Sequence, residues 1–484
     1  MREATGTPAP PPASNATLDR RLSTLDAAAV VVSNVIGSGI LFLPAIVVLI
    51  APSPWALVGL WLAGGVLAFA GAMAYAELSA LRPRAGGEYV YLRAAFGPLL
   101  AFMTGWTSFV AGFSGAIATS ALGMASFLGR FVGFAEDATT QLLVVPLGVA
   151  SLVVTPQAIV AILVIAALSL VHAIGLGPGR IVQNSLAVMK VVGLLAFVLA
   201  GLAWGRGSFD HFSMPAGEVS ATSLLLALVP VMFAYSGWNA AAYVAEEIRD
   251  PARNVPRALS LGTISVIIVY VGLVIVYVYA MPVADLQQVG LQGGSSARVL
   301  TASADRLFGA AAGDAVTIIA IMIMAGSISA MVFAGPRVYY AMARDGLFFP
   351  GAAHIHRRWH TPAVAIVAQA AWSCLLVLAG GLRDLASYTG FAVVLFAGIA
   401  VASLFVLRVR YPNEPRPFRA WGYPIAPGIF ALFSLLMVGN AIWREPGPSA
   451  AGLAIIGAGI PLFFLVQHRF RRADYQDRDV APRD

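Results

Sequence analysis

Charge is scarce in this chain. Only 11% of its 484 residues are charged, whereas a soluble domain carries roughly 25%. With 59% hydrophobic residues and a mean hydropathy of +0.83, the polar groups could not cover a globular surface. That excludes a soluble enzyme, a secreted disulfide-stapled module and a disordered scaffold. Cysteine is scarcer still: Cys374 stands alone, so neither an internal disulfide nor a Cys-rich metal site can form. Lysine also occurs once, at Lys190, against 29 arginines. No P-loop, catalytic triad or dinucleotide fingerprint occurs, and the cluster His354, His356, His360 has no cysteine or acidic companion. No metal, no organic cofactor and no ATP hydrolysis within the chain are expected.

What is present is apolar length. Twelve runs, approximately 25–50, 55–80, 97–127, 155–175, 180–204, 220–246, 258–280, 313–341, 362–380, 386–409, 425–443 and 448–468, each approach the length of about 20 residues that crosses a hydrocarbon core of about 30 Å. The fold class is therefore an all-α polytopic membrane protein of about 12 transmembrane helices. Residues 141–154 are apolar but short and broken by Pro146, and read as a buried segment of an outer loop. Arginine sets the orientation. With the N-terminus inside, 23 arginines fall on inner segments and 6 on outer ones. Both termini are then cytoplasmic, in a plasma membrane, most simply a bacterial inner membrane. The net charge of +7 belongs to inner loops and implies no nucleic acid.

Spans 1 and 6 differ from the rest. Span 1 carries Ile36-Gly37-Ser38-Gly39-Ile40 with Pro44 one turn on; span 6 carries Phe233-Ala234-Tyr235-Ser236-Gly237-Trp238-Asn239. Gly-x-Gly in a membrane helix also serves close packing. A second run of small residues five spans later favours interruption in both, the mark of a transporter built from inverted repeats. Residues 25–204 form the first five-helix repeat and 205–409 the second. Helices 11 and 12 follow over 410–468, with tails at 1–24 (disordered) and 469–484. Span 1 runs outward, so its second half starts in mid-membrane with free N–H groups at Gly37, Ser38 and Gly39, suited to an anion. Span 6 runs inward, so its first half ends there with free carbonyls near Phe233, Ala234 and Ser236, suited to a cation. A small zwitterion satisfies both. On this reading a valine at Gly37 or Gly39 blocks the donors without preventing insertion.

These segments resemble the amino acid–polyamine–organocation (APC) superfamily, nearest to its L-type (LAT-like) amino acid transporters. Further matching stretches are Gly86-Gly87-Glu88-Tyr89-Val90-Tyr91, Tyr243 to Pro251 continued by Asn254-Val255-Pro256, Gly326 to Arg337 and Pro415 to Phe418. The resemblance implies the LeuT-type five-plus-five inverted repeat and alternating access. It implies a substrate carboxylate on Gly37, Ser38 and Gly39 and an amino group on the span 6 carbonyls. Phe233 matches the aromatic gate, and Trp238 is included in the gate on the motif alone. Asn239 divides evenly between a structural and a substrate role. Related permeases have a lysine on span 5 where sodium-coupled relatives hold a cation, so Lys190 is expected to bridge Gly37 and the Ser327–Ser329 stretch of span 8. Eukaryotic relatives join a glycoprotein through an extracellular cysteine, which this chain lacks, so no disulfide-linked partner is expected.

The substrate expectation follows from charge. No Asp or Glu lies at mid-depth in spans 1, 3, 6, 8 or 10, so a neutral amino acid, apolar rather than strongly polar, is favoured. The partners are then that substrate, the lipid bilayer and protons. Sodium-independent exchange or proton-linked symport is the leading mode. The alternatives are a polyamine or cationic amino acid permease, or a sodium-coupled symporter of the same fold. A membrane enzyme is disfavoured because no intramembrane acid, His or Ser–Lys pair is found. The rim Glu246, Glu247, Arg249, Arg253, Arg257 reads as holding or gating helices at the inner face, Glu77 as pairing with Arg82 or Arg84, and His172 as a structural residue.

Overall fold

The computed structural model describes residues 18–146, 151–214, 217–292, 298–380, 382–444 and 446–479. Its helices fall on the apolar runs. Span 1 is Thr24–Val35 with Ser38–Ile50, span 2 Pro54–Leu81, span 3 Pro98–Leu128 through a π-helical turn at Ser108–Gly112, span 4 Pro156–Ala173 and span 5 Leu176–Trp204. Span 6 is Ala221–Tyr235 with Ala240–Tyr243, span 7 Pro251–Ala280, span 8 Ala310–Arg344, span 9 Ala363–Ala379, span 10 Leu382–Arg410, span 11 Ile425–Arg444 and span 12 Pro446–Asp479. Among the described residues, nine helices are each long and apolar enough to cross a membrane, and the halves of span 1 qualify together across a 41° bend. The shorter apolar helices of span 6, with 15 residues, and span 9, with 17, complete the twelve.

Local chemistry sets the ends. Ser23 and Asp26 close a reciprocal capping box at the start of span 1, and Ser53 and Thr155 cap spans 2 and 4, each satisfying N–H groups a helix cannot bond internally. Pro54, Pro156 and Pro251 occupy first-turn positions, where a missing N–H costs nothing. Span 1 packs against spans 5, 7 and 8, and span 7 lies along span 2. The two broken helices are thereby enclosed by unbroken ones.

One expectation changes, and the two ends of the chain gain detail. The described part of 141–154 is not buried: Leu143–Pro146 (β1) pairs antiparallel with Ser151–Val154 (β2), β1 is exposed and β2 exposed to half-buried. A strand pair bonds its own backbone and needs no cover for it. The C-terminal stretch read as a tail from 469 is helical through Asp479. Of the expected N-terminal tail, residues 1–17 lie outside the described residues, and Ser23–Asp26 already belong to span 1.

The arginine-rich face is tied by ion pairs between segments far apart in sequence. Arg337 of span 8 grips Glu247 through bonds of 2.8 and 3.2 Å, both residues fully buried. Arg344 reaches Glu246 at 2.9 Å. Leu22 joins the same junction through backbone bonds with Glu247 and Arg249 at 2.9 and 3.0 Å. Glu77 pairs with neither Arg82 nor Arg84. It receives Arg408 at 2.5 and 2.9 Å, Arg416 at 3.1 Å and the Ala420 N–H at 2.7 Å, while Arg82 goes to Glu414. Arginines from the end of span 10 and the loop after it thus reach Glu77, while Arg82 and Arg84 of the turn that follows it in sequence pair elsewhere. Asp345 accepts from Arg84 at 3.1 Å, Tyr89 at 3.0 Å and Arg93.

Burial pushes the Asp345 carboxyl up, but the Arg93 hydrogen bond and the Arg84 charge outweigh it and hold the group below the ordinary aspartate value of 3.8. Its contribution is thus complete above that value and is lost only as pH falls through the lowered folded value. Asp345→Asn should cost about 2 kcal/mol at neutral pH. The melting-temperature gap from wild type should stay constant from pH 8 to about pH 5 and close on further acidification. Thermal unfolding of the solubilised protein across pH measures this.

Candidate substrate site

The break in span 1 comes from Ile36 and Gly37, which take non-helical dihedrals between Val35 and Ser38. An unwound stretch at membrane depth must find partners for its backbone, and here the partners can be named. Lys190 of span 5, fully buried, donates to the carbonyls of Ser33 at 2.9 Å and Ile36 at 2.7 Å. The Tyr270 hydroxyl of span 7 shares its proton between Val35 O at 2.7 Å and Ala234 O at 3.2 Å. One hydroxyl therefore joins the two breaks. Of the three predicted donors, the Gly37 N–H has no hydrogen-bond partner among the described residues. Ser38 and Gly39 open the second half-helix with no backbone partner for their N–H groups among the described residues.

Span 6 breaks after Tyr235. Gly237 has φ +99°, a left-handed conformation that glycine adopts without strain, and a Cβ there would stand 2.9 Å from the Asn34 backbone. Gly39 meets Ala234 in the same way: a Cβ would lie 2.7 Å from the Ala234 Cα. The breaks thus face each other at backbone contact. Among the predicted carbonyls, Phe233 O accepts the Ser236 N–H at 3.0 Å and Ala234 O accepts Tyr270. Ser236 O has no partner among the described bonds.

A cavity of about 110 Å³ lies between the breaks, lined by Gly37, Ser38, Gly39, Phe233, Ala234, Ser236, Asn239 and Ser327, among others. The structure therefore brings together every predicted substrate residue, and Ser327 with them. It separates three others. Trp238 is not in the lining; it packs edge-on against Tyr75 and Phe430, with centroids 4.8 and 5.4 Å apart. Ser329 turns away from the break and pairs with His172 at 2.8 Å. Two residues along a helix is a rotation of about 200°, so Ser327 and Ser329 cannot face the same point. Lys190 does not bridge to either serine; it lies over Gly326, where a Cβ would stand 2.5 Å from its Cε.

Sequence reasoning missed two contributors. Glu88 lines the cavity and is buried, although it lies outside the predicted spans, just after the Gly86-Gly87 turn. Its oxygens accept from Tyr75 at 2.7 Å, Asn239 at 2.8 Å and Thr104 at 3.5 Å. The absence of acids at mid-depth in spans 1, 3, 6, 8 and 10 did not exclude this one, which enters from the helix between spans 2 and 3 and is already surrounded by donors. The second contributor is span 3, whose π-helical turn and neighbouring residues place Thr107, Ser108, Thr119 and Ser120 in the lining. The Thr107 and Thr119 hydroxyls are buried without a partner. The Gly86-Gly87-Glu88 pattern was the available signal for the acid; nothing local marked the π turn, a feature frequent at functional sites.

Two helices broken face to face around a cavity that joins free backbone groups to an apolar wall, in a bundle of apolar spans, define a membrane carrier. Comparison with known proteins gives the family. The family described as amino acid permease matches residues 22–466. The chain belongs to that family, within the APC superfamily, and is an amino acid transporter of LeuT-type fold and no enzyme. It is 28% identical to rabbit (Oryctolagus cuniculus) large neutral amino acids transporter small subunit 2, over 93% of this chain and 80% of the relative. It is 29% identical to the human cystine/glutamate transporter, over 95% and 88%. It is 24% identical to the serine/threonine exchanger SteT of Bacillus subtilis, over 93% and 98%.

The contact between breaks revises the expectation for Gly39. A methyl there meets backbone, which cannot yield, so Gly39→Ala should lower the melting temperature as well as abolish uptake. Ser38→Ala, facing the cavity, should leave the melting temperature unchanged. Labelled uptake and thermal unfolding of both variants measure the contrast.

Proposed function

We propose that this chain moves neutral L-amino acids across the plasma membrane by alternating access, through sodium-independent exchange or proton-linked symport, with both termini in the cytoplasm. The observation that carries the reading is the pairing of opposite half-helix ends across one cavity. Ser38 and Gly39 offer N–H groups to a carboxylate, and Ser236 offers a carbonyl to an ammonium. Phe233 closes the cavity side as a gate. Neutrality is supported by the lining: Glu88 is its one charged residue, and the Tyr75, Asn239 and Thr104 donors occupy that carboxylate.

A second reading concerns side-chain size. Phe113, Met331, Val393 and Phe396 give the lining an apolar wall, in keeping with an apolar substrate. The unpartnered Thr107 and Thr119 hydroxyls favour a short hydroxyl-bearing side chain instead, because a buried hydroxyl left without a partner costs about 1–3 kcal/mol. The Bacillus relative, a serine/threonine exchanger, agrees with that second reading.

Lys190 carries the coupling argument. Its ammonium already occupies the Ser33 and Ile36 carbonyls, which supports independence from sodium. Arginine 23-to-6 asymmetry supports the cytoplasmic placement of the termini, and the location of Cys374 within span 9 supports function without a disulfide-linked partner.

Counterflow in liposomes with and without sodium tests the proposal. Leucine, methionine, alanine, serine or threonine should compete best, and uptake should persist without sodium. Arginine or putrescine winning the competition, or a strict sodium requirement, would overturn it. Lys190→Ala should cripple transport or remove its pH dependence without creating a sodium requirement.

A further inference from the structure

At the arginine-rich end of span 7, away from the substrate cavity, lies an open groove of about 700 Å³. One wall is span 7, with Arg253, Arg257 and Leu261; the other is the loop after span 10, with Pro417, Phe418 and Trp421. Arg253 and Arg257 are both exposed, one helical turn apart. Unlike Arg337, Arg344, Arg84, Arg93 and Arg408, they form no ion pair or side-chain hydrogen bond among the described residues. Asp250, three residues before Arg253, pairs with neither. The rim read from sequence as one group holding or gating helices therefore divides. Glu246 and Glu247 are held by span 8, and these two arginines point elsewhere.

The same face of span 7 continues apolar. Leu261, Ile264 and Ile268 are 45%, 43% and 59% exposed, and they extend the stripe from Arg253 and Arg257 at helical spacing. From Arg257 to Ile268 is about 16 Å at 1.5 Å per residue, close to the depth of one leaflet of a hydrocarbon core about 30 Å thick. Trp421, 58% exposed, stands across the groove from the arginines, as tryptophans do at the membrane–water interface. Two unpaired cations above a leaflet-deep apolar stripe have the dimensions of a phospholipid, headgroup and acyl chain together.

We propose that this groove is a binding site for an anionic phospholipid, with its phosphate on Arg253 and Arg257 and one acyl chain along Leu261, Ile264 and Ile268. The continuity of charge with apolar stripe selects a lipid over a free phosphate ion, which would use the arginines alone.

The test uses the full chain in detergent, titrated with dioleoylphosphatidylglycerol, dioleoylphosphatidylcholine or inorganic phosphate, with thermal unfolding as the readout. Phosphatidylglycerol should stabilise at a much lower mole fraction than phosphatidylcholine, and phosphate alone should not stabilise. The double variant R253Q/R257Q should need about 30-fold more phosphatidylglycerol, from about 1 kcal/mol for each near-surface arginine, and should melt like wild type in phosphatidylcholine. A second measurement needs no arginine variant: phosphatidylglycerol brominated on its acyl chains should quench tryptophan fluorescence more than brominated phosphatidylcholine, and Trp421→Phe should remove the difference. Equal responses to the two lipids, an unchanged preference in R253Q/R257Q, stabilisation by phosphate alone, or an unchanged quenching difference in Trp421→Phe would each overturn the proposal. None of these readouts depends on transport or on the identity of its substrate.

Discussion

The constraint on which this architecture depends is the satisfaction of unwound backbone in a low-dielectric interior. Two spans stop being helical inside the protein, and each exposed carbonyl or N–H must meet a partner or the break would be too costly to keep. Lys190 and Tyr270 supply most of that satisfaction, one from span 5 and one from span 7. The groups they leave over, at Gly37, Ser38, Gly39 and Ser236, are those that line the cavity. Structural need and candidate recognition thus draw on one set of backbone atoms: what the scaffold does not bond remains for a ligand.

Tyr270 also makes the breaks mechanically inseparable. Its hydroxyl touches both Val35 and Ala234, and Gly39 and Gly237 bring the chains to backbone distance on either side of it. A movement of either half-helix changes the hydrogen bonding of the other. At the arginine-rich face the same two spans are joined again by Leu22 with Glu247 and Arg249, and span 8 clamps that junction through Arg337. A buried pair of this kind adds little net stability over an apolar one, yet breaking it leaves an uncompensated charge, a property suited to a junction with discrete open and closed arrangements.

Charge is distributed with matching economy. At the substrate cavity, Glu88 is surrounded by neutral donors and Lys190 by carbonyls, so neither presents a free charge to the space between the breaks. At the arginine-rich face most acids are consumed by arginines, and Arg253 and Arg257 are left over beside an exposed apolar stripe. The balance of paired and unpaired groups separates the interior, where ionic groups hold helices in place, from the rim, where they meet the bilayer.

The sequence by itself determined the number of spans and the places where two of them break. Apolar run length reports directly on crossing a hydrocarbon core, and Gly37-Ser38-Gly39 and Ser236-Gly237 weaken a helix wherever they occur; both properties are local. It also singled out Lys190, because one lysine at mid-span has few ways to be satisfied. Only the tertiary structure decided which residues meet. Glu88 reaches the cavity from outside the predicted spans, Glu77 passes over its sequence neighbours for Arg408 and Arg416, Trp238 turns toward Tyr75, and Ser329 faces His172 while Ser327 faces Gly37. Each outcome depends on the rotation of a helix about its axis. A helix that is apolar all round carries little amphipathic signal to fix that rotation, so it is set by packing against neighbours distant in sequence.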